Sequence, residues 1–303
     1  WCGFFIFIKK RVISILKLFI RAALWLFCAE INTKNKYLLN SRGPLLIIAN
    51  HPNSFLDAII IGSRYNRRIH FLARGDVFTK RHHRFLLKLL NMIPVYRIRE
   101  GKEFLHLNEY TFIESAKLLK NNEAILIFIE GTCLNTNKLQ PFKKGTARIL
   151  QSCHIQNLFP NIHLAGISYN NFKGIGKKVN LCFDIFTQNT PILTPKERVA
   201  FNNAVFLKLS SLILPTAHKP NLKKNALYYF NLPLYRLVYK FVDKKTKGTV
   251  FFDSVLFGTL FFLYPVYLIL IIILLHCINI PQPIIFGTLA LLFLLRNQTM
   301  SIS

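Results

Sequence analysis

Acidic side chains are scarce in this chain of 303 residues, where 13 aspartates and glutamates stand against 40 lysines and arginines. The formal net charge of +27 attracts polyanions, either nucleic acid or the anionic surface of a bilayer. Hydrophobic residues make up 52% of the chain, which is too apolar for an ordinary soluble protein. The composition therefore favours membrane lipids as the partner, and we do not expect nucleic acid.

Paired cysteines are also lacking. No C-x-x-C pair occurs, which argues against a zinc site and against a disulfide framework. Reduced thiols suit a protein that faces the cytosol. The six cysteines are Cys2, Cys28, Cys133, Cys153, Cys182 and Cys277. We expect no metal site.

Apolar runs alternate with amphipathic stretches over the first two thirds of the chain. Buried strands are predicted over Gly43–Asn50, Arg67–Arg74, Met92–Arg99, Glu123–Gly131 and Ile162–Asn170. Helices are predicted over Asp57–Ser63, Lys80–Asn91, Glu109–Asn122 and Lys143–Cys153. This alternation predicts an α/β fold, in which a mostly buried mixed sheet is flanked by helices. We assign residues 39–190 to this core.

The N-terminal segment, residues 1–38, is predicted to be membrane-associated, with a helix over Lys10–Ile31. Lys10, Lys17 and Arg21 interrupt its apolar stretches, and several cations inside a bilayer core are costly. An interfacial helix whose cations reach toward lipid phosphates fits better than a membrane span. A buried N-terminal helix of a soluble fold is the alternative.

The C-terminal segment, residues 251–303, is predicted to form a transmembrane hairpin. Ser254–Leu275 has 22 residues without a charge, and a helix of that length is about 33 Å long. A second run, Ile280–Leu295, is shorter, and whether it spans is left open. Lysines precede the pair, Arg296 follows it and the connection has no cation, so both ends are predicted to face the cytoplasm. The basic segment 191–250 either completes the core or links it to the membrane.

A polar cluster interrupts the apolar stretch LLIIANHPNSFLDAIII, residues 45–61. The predicted strand ends at Asn50 and His51, and Pro52 suits the first turn of the following helix. A carboxylate at Asp57 that turned back toward His51 would fix the ring tautomer and leave the other nitrogen able to take a proton. A His–Asp pair of this kind also occurs as a purely structural feature.

A second polar cluster ends the predicted strand 123–131. A buried acid such as Glu130 must be hydrogen-bonded or functional. Gly131 permits a tight turn whose free backbone amides can bind an anion, and Thr132 and Lys143 follow in the same loop.

Two arginines are expected at the same sheet edge. Arg74 and Arg97 each end a strand-like segment, and converging guanidinium groups bind phosphate well. Taken singly, each is also compatible with an ordinary surface charge.

These motifs together resemble the glycerolipid acyltransferase family, which includes bacterial 1-acyl-glycerol-3-phosphate acyltransferase. Asn50, His51 and Asp57 match the family's Asn-His motif with its nearby Asp, and FIEGT (residues 128–132) matches Phe-Pro-Glu-Gly-Thr. FLARGDVF with MIPVYRIR resembles the motif that carries a phosphate-binding arginine. The resemblance covers residues 39–170.

The chain departs from the family pattern at three points. Five residues separate His51 from Asp57, where the family usually has four, and a one-residue bulge at the helix start would absorb the extra one. Ile129 stands where the family has proline. Cys133 replaces a common arginine, whose phosphate contact Lys143, Lys144 or Arg97 would have to supply.

The resemblance implies a membrane-bound O-acyltransferase of phospholipid synthesis, with its active site on the cytoplasmic face. It would move a fatty acyl chain from acyl-CoA or acyl carrier protein to a hydroxyl of lysophosphatidic acid or a related glycerol phosphate, and the acyl donor is a co-substrate rather than a cofactor. His51 would be the general base and Asp57 its orienting acid. The implied substrate-binding residues are Asn50, Arg74, Arg97, Glu130, Gly131, Thr132 and Lys143. From the charge alone, the alternative is a non-catalytic basic membrane protein that binds anionic lipid or nucleic acid.

Overall fold

A computed structural model describes residues 2–97, 101–104, 106–216, 226–284 and 287. Its strands are β1 (Cys28–Lys34), β2 (Leu45–Ala49), β3 (Ile69–Arg74), β4 (Met92–Val95), β5 (Ala124–Phe128), β6 (Asn161–Tyr169) and β7 (Lys177–Phe186). Its helices are α1 (Cys2–Phe27), α2 (Phe55–Arg64), α3 (Arg81–Leu89), α4 (Leu107–Lys120), α5 (Gly145–His154), α6 (Pro195–Leu212), α7 (Ala226–Thr246) and α8 (Phe252–Cys277).

The strands form one mixed sheet in the order β1-β7-β6-β2-β5-β3-β4. Strands β6, β2, β5, β3 and β4 are parallel to one another, so their carboxyl ends share one edge of the sheet. Strand β7 is antiparallel to β6, and β1 is parallel to β7. The predicted fold class, a mostly buried mixed sheet flanked by helices, is confirmed.

Strand β2 is buried on both faces, which explains its continuous apolar sequence LLIIA. Because side chains alternate along a strand, Leu45, Ile47 and Ala49 belong to one core, and Leu46 and Ile48 belong to the other. The first core includes buried residues of α1, α2, α7 and α8. The second includes buried residues of α4, α5 and α6, so the sheet lies between two helical layers.

One sequence prediction is wrong in this part of the molecule, and several elements were not predicted. The helix predicted over Lys10–Ile31 ends at Phe27, and the next residue begins the edge strand β1. Strand β7 and helices α6 and α7 were not predicted, although segment 191–250 was expected to complete the core or to link it to the membrane. Helix α6 begins with a capping box between Thr194 and Glu197. The edge strand β1 has mixed polarity because only part of its surface is buried, so its sequence pattern is weak.

Two cations of α1 donate to backbone carbonyls of the protein. Lys17 Nζ donates to the carbonyls of Tyr65 and Arg67 at 2.9 and 2.6 Å, and Arg21 Nε donates to that of Ser63 at 2.7 Å. They satisfy carbonyls at and just beyond the end of α2, where a helix leaves acceptors unpaired and carries negative partial charge. Lys17 and Arg21 were predicted to reach toward lipid phosphates, and these carbonyl partners were not foreseen from the sequence. The side chain of Lys10 lies outside the described part.

Helix α8 begins inside the protein and leaves it. Phe252, Leu256 and Phe257 are buried in the first core, whereas from Phe262 onward the large apolar side chains are mainly exposed. Within the described residues, α8 is the one helix long and apolar enough to cross a bilayer. The predicted second run, Ile280–Leu295, lies mostly outside the described residues.

Candidate active site

The chain leaves β2 at the carboxyl edge of the sheet through Asn50. Its side-chain amide donates to the carbonyl of Ile167 at 2.8 Å and accepts from the Ile167 amide at 2.8 Å. These two bonds continue the pairing of β2 with β6 for one more residue, through a side chain. Asn50 was predicted to bind substrate, but this geometry favours a role in fixing the direction of the chain that presents His51.

His51 and Asp57 are brought together as predicted from their spacing. His51 Nδ1 lies 2.9 Å from Asp57 Oδ2. The His51 ring stacks on the Phe128 ring with 3.8 Å between centroids and 12° between planes. Stacking on Phe128 and the hydrogen bond to Asp57 together fix the orientation of the imidazole. An ionised carboxylate can only accept, so Nδ1 carries the hydrogen and Nε2 has the free lone pair. The His51 side chain is 18% exposed, whereas Asp57 is fully buried.

Two further donors hold the Asp57 carboxylate. The backbone amide of Asn53 donates to Oδ2 at 2.8 Å, and the hydroxyl of Tyr169 donates to Oδ1 at 2.6 Å. Burial and the nearby Asp57 charge raise the pKa of the Tyr169 hydroxyl well above its ordinary value, so it stays protonated and keeps donating. With His51, three donors replace the water that burial removes from this carboxylate.

The extra residue between His51 and Asp57 is accommodated at Ser54. This N-cap residue of α2 has φ 52° and ψ −142°, a backbone region that is essentially restricted to glycine. Helix α2 then starts at Phe55, so that Asp57 faces back toward His51. The one-residue irregularity expected at the helix start is therefore present, and it takes the form of one strained residue.

Glu130 connects the turn that carries His51 to the loop after β5 by accepting from backbone amides. Its Oε2 accepts from the amide of His51 at 3.1 Å, and its Oε1 accepts from the amide of Gln140 at 3.1 Å. Burial raises the pKa of Glu130, although both of these hydrogen bonds oppose the shift. The buried acid is thus hydrogen-bonded, and its contacts link the loop after β5 to the loop after β2.

The Gly131 amide, which was expected to be free to bind an anion, already has a backbone acceptor. The Gly131 amide donates to the Phe128 carbonyl at 3.0 Å, which closes a turn. Gly131 has φ 60°, a conformation that favours glycine, and a Cβ on it would lie 2.7 Å from Cγ of the exposed Lys143 side chain, which would have to shift. The prediction of a free amide at Gly131 is wrong. Lys143 is exposed beside it, and the Thr132 hydroxyl lies 3.4 Å from the Glu130 carbonyl.

Cys133, which stands where the family commonly has arginine, belongs to the same turn. The Ser54 amide donates to its sulfur at 2.9 Å. Burial, with Asp57 nearby, raises the pKa of the Cys133 thiol to about 12. It is therefore a protonated acceptor at neutral pH, which argues against an acyl-cysteine intermediate here.

Arg74 and Arg97 lie at the same sheet edge, farther along it. Arg74 ends β3, which is two strands from β2, and Arg97 follows β4, which is three strands away. Continuing the β3–β5 register puts Arg74 level with Ile129, about 10 Å across the sheet from the His51 strand. Arg74 is exposed and pairs with Asp76, with Nε 3.1 Å from Oδ1.

A buried polar cluster joins residues 53–56, between His51 and Asp57, to the start of α8. Asn53 Nδ2 donates to Asp253 Oδ2 at 2.8 Å, and the same carboxylate pairs with Lys177, with both charged side chains fully buried. The Ser254 hydroxyl accepts from the Leu56 amide at 3.1 Å, in the first turn of α2. The turn that carries His51 and Asp57 is thereby attached to the first residues of the apolar helix.

Sequence reasoning missed Tyr169, Asn53 and the Lys177–Asp253 pair. Tyr169 was available as the end of a predicted strand, but only the strand order shows that this strand lies beside β2. Asn53 was visible inside the polar cluster. Its partner Asp253 is 200 residues away in the sequence, and at such a separation residue spacing does not predict a contact.

Residues 30–169 match the family described as Acyltransferase. This segment is an acyltransferase domain. The match agrees with the family that the motifs indicate, over residues 30–169 of the chain. The acyltransferase domain extends from β1 to Tyr169 and includes His51, Asp57 and Glu130.

Among solved structures, the chain is similar to the crystal structure of the 1-acyl-sn-glycerophosphate (LPA) acyltransferase, PlsC, from Thermotoga maritima. The two share 18% identity with a TM-score of 0.49, over 67% of this chain and 80% of that one. No curated protein sequence matches this chain.

Ser54→Gly is expected to stabilise the acyltransferase. Glycine adopts the Ser54 conformation without strain, a gain of about 1–3 kcal/mol that the greater freedom of the unfolded chain reduces by about 0.4–1 kcal/mol. Thermal unfolding should show a melting temperature higher by roughly 2–4 °C per kcal/mol gained. Ser54→Ala, which removes the hydroxyl and keeps the strain, is the control. A lower melting temperature for Ser54→Gly would contradict the assigned conformation.

Tyr169→Phe is expected to lower kcat with little change in KM for the acyl donor. It removes one hydrogen bond to a charged acceptor, typically worth about 1.5–3 kcal/mol, so a loss of about 10-fold or more follows if that bond orients Asp57. Steady-state kinetics of the purified enzyme measure it.

Tyr65→Phe is the matched control, because the buried Tyr65 hydroxyl lies 3.2 Å from His163 Nδ1 instead of Asp57. Equal losses of kcat in both variants, with equal losses of stability, would show that Tyr169 has only a structural role.

Proposed function

We propose that the chain transfers a fatty acyl group from acyl-CoA or acyl carrier protein to a hydroxyl of lysophosphatidic acid or a related glycerol phosphate, at a membrane and in phospholipid synthesis. The observation that carries this proposal is the contact between His51 and the buried Asp57, inside an acyltransferase domain. The motif resemblance to glycerolipid acyltransferases supplies the substrate class.

The proposed reaction needs no covalent enzyme intermediate. His51 Nε2 takes the proton of the acceptor hydroxyl as its oxygen attacks the thioester carbonyl carbon, and Asp57 stabilises the imidazolium that forms. The tetrahedral intermediate then collapses, the carbon–sulfur bond breaks, and His51 returns the proton to the leaving thiolate. The protonated Cys133 fits this direct transfer, because it offers no thiolate to accept the acyl group.

Arg74 is the proposed contact for the phosphate of the acceptor, and Arg97 is a second candidate. Both follow parallel strands whose carboxyl ends share the edge that carries His51. The strands that carry Arg74 and His51 are about 10 Å apart. The length of the arginine side chain covers part of this distance, and the glycerol unit between the acceptor hydroxyl and its phosphate covers the rest. Lys143 is exposed beside Gly131 and adds positive charge near the same turn.

Three exposed apolar surfaces support a membrane location. Helix α8 exposes Val266, Leu270 and Ile273 along its length. Helix α1 exposes Ile15, Leu18 and Phe19. Helix α3 buries none of its residues and exposes Phe85, Leu86 and Leu89, together with Arg81 and Arg84. Apolar surface combined with cations is typical of contact with an anionic bilayer.

The attachment of α8 to the catalytic turn supports an active site close to the lipid surface. The first turn of α8 lies in the core beside Asn53 and Leu56, and the exposed apolar part begins within about 15 Å of it. A cytoplasmic orientation is supported by Lys244, Lys245 and Lys247, which precede α8. The non-catalytic binder considered from the charge alone is disfavoured by the match to an enzyme family.

His51→Ala is expected to lower acyl transfer by about 10²–10⁴-fold, because a general base typically contributes that much. The assay uses the purified full chain in lipid-containing detergent, with acyl-CoA and lysophosphatidic acid, and mass spectrometry identifies the product. Glycerol 3-phosphate and lysophosphatidylcholine are tested as alternative acceptors.

His83→Ala, at an exposed histidine of α3, is the matched control and should retain activity. Full turnover by a folded His51→Ala variant would refute the proposed base. Turnover of lysophosphatidylcholine alone would refute the proposed acceptor class.

Ile269→Lys combined with Ile273→Lys is expected to prevent stable membrane insertion. Both side chains are exposed and lie one turn apart, and a lysine at the centre of a bilayer costs roughly 2.5–3.5 kcal/mol. The measurement is the fraction of chain left in the membrane pellet after alkaline carbonate extraction, which removes peripheral proteins. Val199→Lys, at an exposed position of α6, is the control. Retention of the double variant at the original level would show that α8 does not span.

A further inference from the structure

A cluster of cations lies at the sheet edge opposite the catalytic turn. Helix α2 has 10 residues, carries Asp57 in its first turn and ends at Arg64, so its two ends are about 15 Å apart. The loop after it carries Arg67 and Arg68, and the cations of α1 contact this loop from outside. The cluster therefore belongs to a part of the molecule that the proposed acyl transfer does not use.

The cluster surrounds a cavity between α1 and the end of α2. The cavity has a volume of about 380 Å³. Its lining residues are Ile13, Ser14, Lys17, Arg21, Tyr65, Asn66, Arg67 and Arg68. Four of these eight residues are cationic and none is acidic.

Positive charge in this region is poorly compensated by the protein. Glu123 is the acid that reaches the cluster within the described residues, and its Oε1 lies 3.9 Å from Arg68 Nη1. Burial and the neighbouring Arg21 lower the pKa of Lys17 to about 8. The same two causes, burial first, lower the pKa of Arg64. Backbone carbonyls accept hydrogen bonds from Lys17, Arg21 and Arg67, but carbonyl dipoles do not neutralise the cations, and a bound anion would lower the repulsion among them.

Two guanidinium groups also have buried nitrogen atoms without partners. Arg64 Nε and Arg68 Nη2 are inaccessible to solvent and have no hydrogen-bond acceptor among the residues that the structure describes. A buried donor without an acceptor typically costs about 1–3 kcal/mol. Arg68 also lines the cavity, so a rotation of its side chain would let it donate to an oxyanion bound there together with the cations of α1.

We propose that this cavity is a phosphate-binding site, separate from the catalytic site. Arg68, Lys17 and Arg21 are its main donors, and a phosphate oxyanion matches the guanidinium fork and the charge of the site. The ligand chemistry is a phosphate monoester or diester, which either a lipid headgroup or free phosphate supplies.

The setting of the cavity favours a lipid as the source. The same helix that brings Lys17 and Arg21 to the cavity exposes Ile15, Leu18 and Phe19 to its surroundings. The apolar outer surface of α1 suits the acyl chains of a lipid, and the cationic cavity beside it suits the lipid headgroup. Occupancy would attach the N-terminal helix to the α2 loop through the bound lipid.

Isothermal titration calorimetry of the purified full chain in detergent tests the site. The probes are dihexanoyl phosphatidylglycerol, dihexanoyl phosphatidylcholine and inorganic phosphate. Phosphatidylglycerol should bind more tightly than phosphatidylcholine, and Arg68→Gln should weaken it by about tenfold, the usual effect of losing one charge-assisted hydrogen bond. Arg42→Gln, at an exposed arginine that does not line the cavity, should bind like the unaltered chain.

Lys17→Gln is the second variant, for use if Arg68→Gln does not fold. Phosphatidylglycerol binding that inorganic phosphate does not compete for supports a lipid site, and phosphate binding that depends on Arg68 supports a site for free phosphate. Binding that is absent, or unchanged in every folded variant of these two residues, overturns the proposal. Because the readout involves no acyl transfer, a His51→Ala chain that binds normally separates this site from the proposed activity.

Discussion

The carboxylate of Asp57 is the constraint around which the turn after β2 and the start of α2 are organised. It is a fully buried acid, and burial of an ionised group without partners costs far more than the whole stability of a domain. Its three donors come from the turn after β2, from the first residues before α2 and from the end of β6. Satisfying one charge therefore fixes the relative positions of two strands and one helix, and the imidazole is oriented as a result.

Helix α2 connects two regions of opposite electrostatic character. Its first turn carries the acid, and its last turn and the loop beyond it are surrounded by arginines and by the cations of α1. The helix dipole favours both arrangements, because negative charge is stabilised at the start of a helix and positive charge at its end. Helices α1 and α8 pack on the same layer as α2, so two of the three apolar surfaces proposed to meet lipid adjoin the helix that carries Asp57.

Local patterns were enough to predict the centre of the fold and the centre of the site. Buried parallel strands are continuous apolar runs, which made β2, β5 and β6 recognisable, and His51 and Asp57 lie within seven residues of each other. Features that depend on tertiary pairing were not predictable. Strand β1 has mixed polarity because it is an edge strand, and the hydroxyl of Tyr169 reaches Asp57 only because β6 happens to lie beside β2. The amide of Gly131 was misjudged for a local reason, because closure of its own turn onto the Phe128 carbonyl uses it.

The link between Asn53 and Asp253 has a consequence for the order of events during synthesis. Asn53 leaves the ribosome about 200 residues before its partner, and until Asp253 arrives, Lys177 has an ammonium group in an apolar interior without its counter-ion. We therefore expect a nascent chain to keep this layer open until α8 has been made. Under the proposed function, the turn that carries His51 would then mature as α8 reaches lipid, so that an unanchored chain would also be inactive.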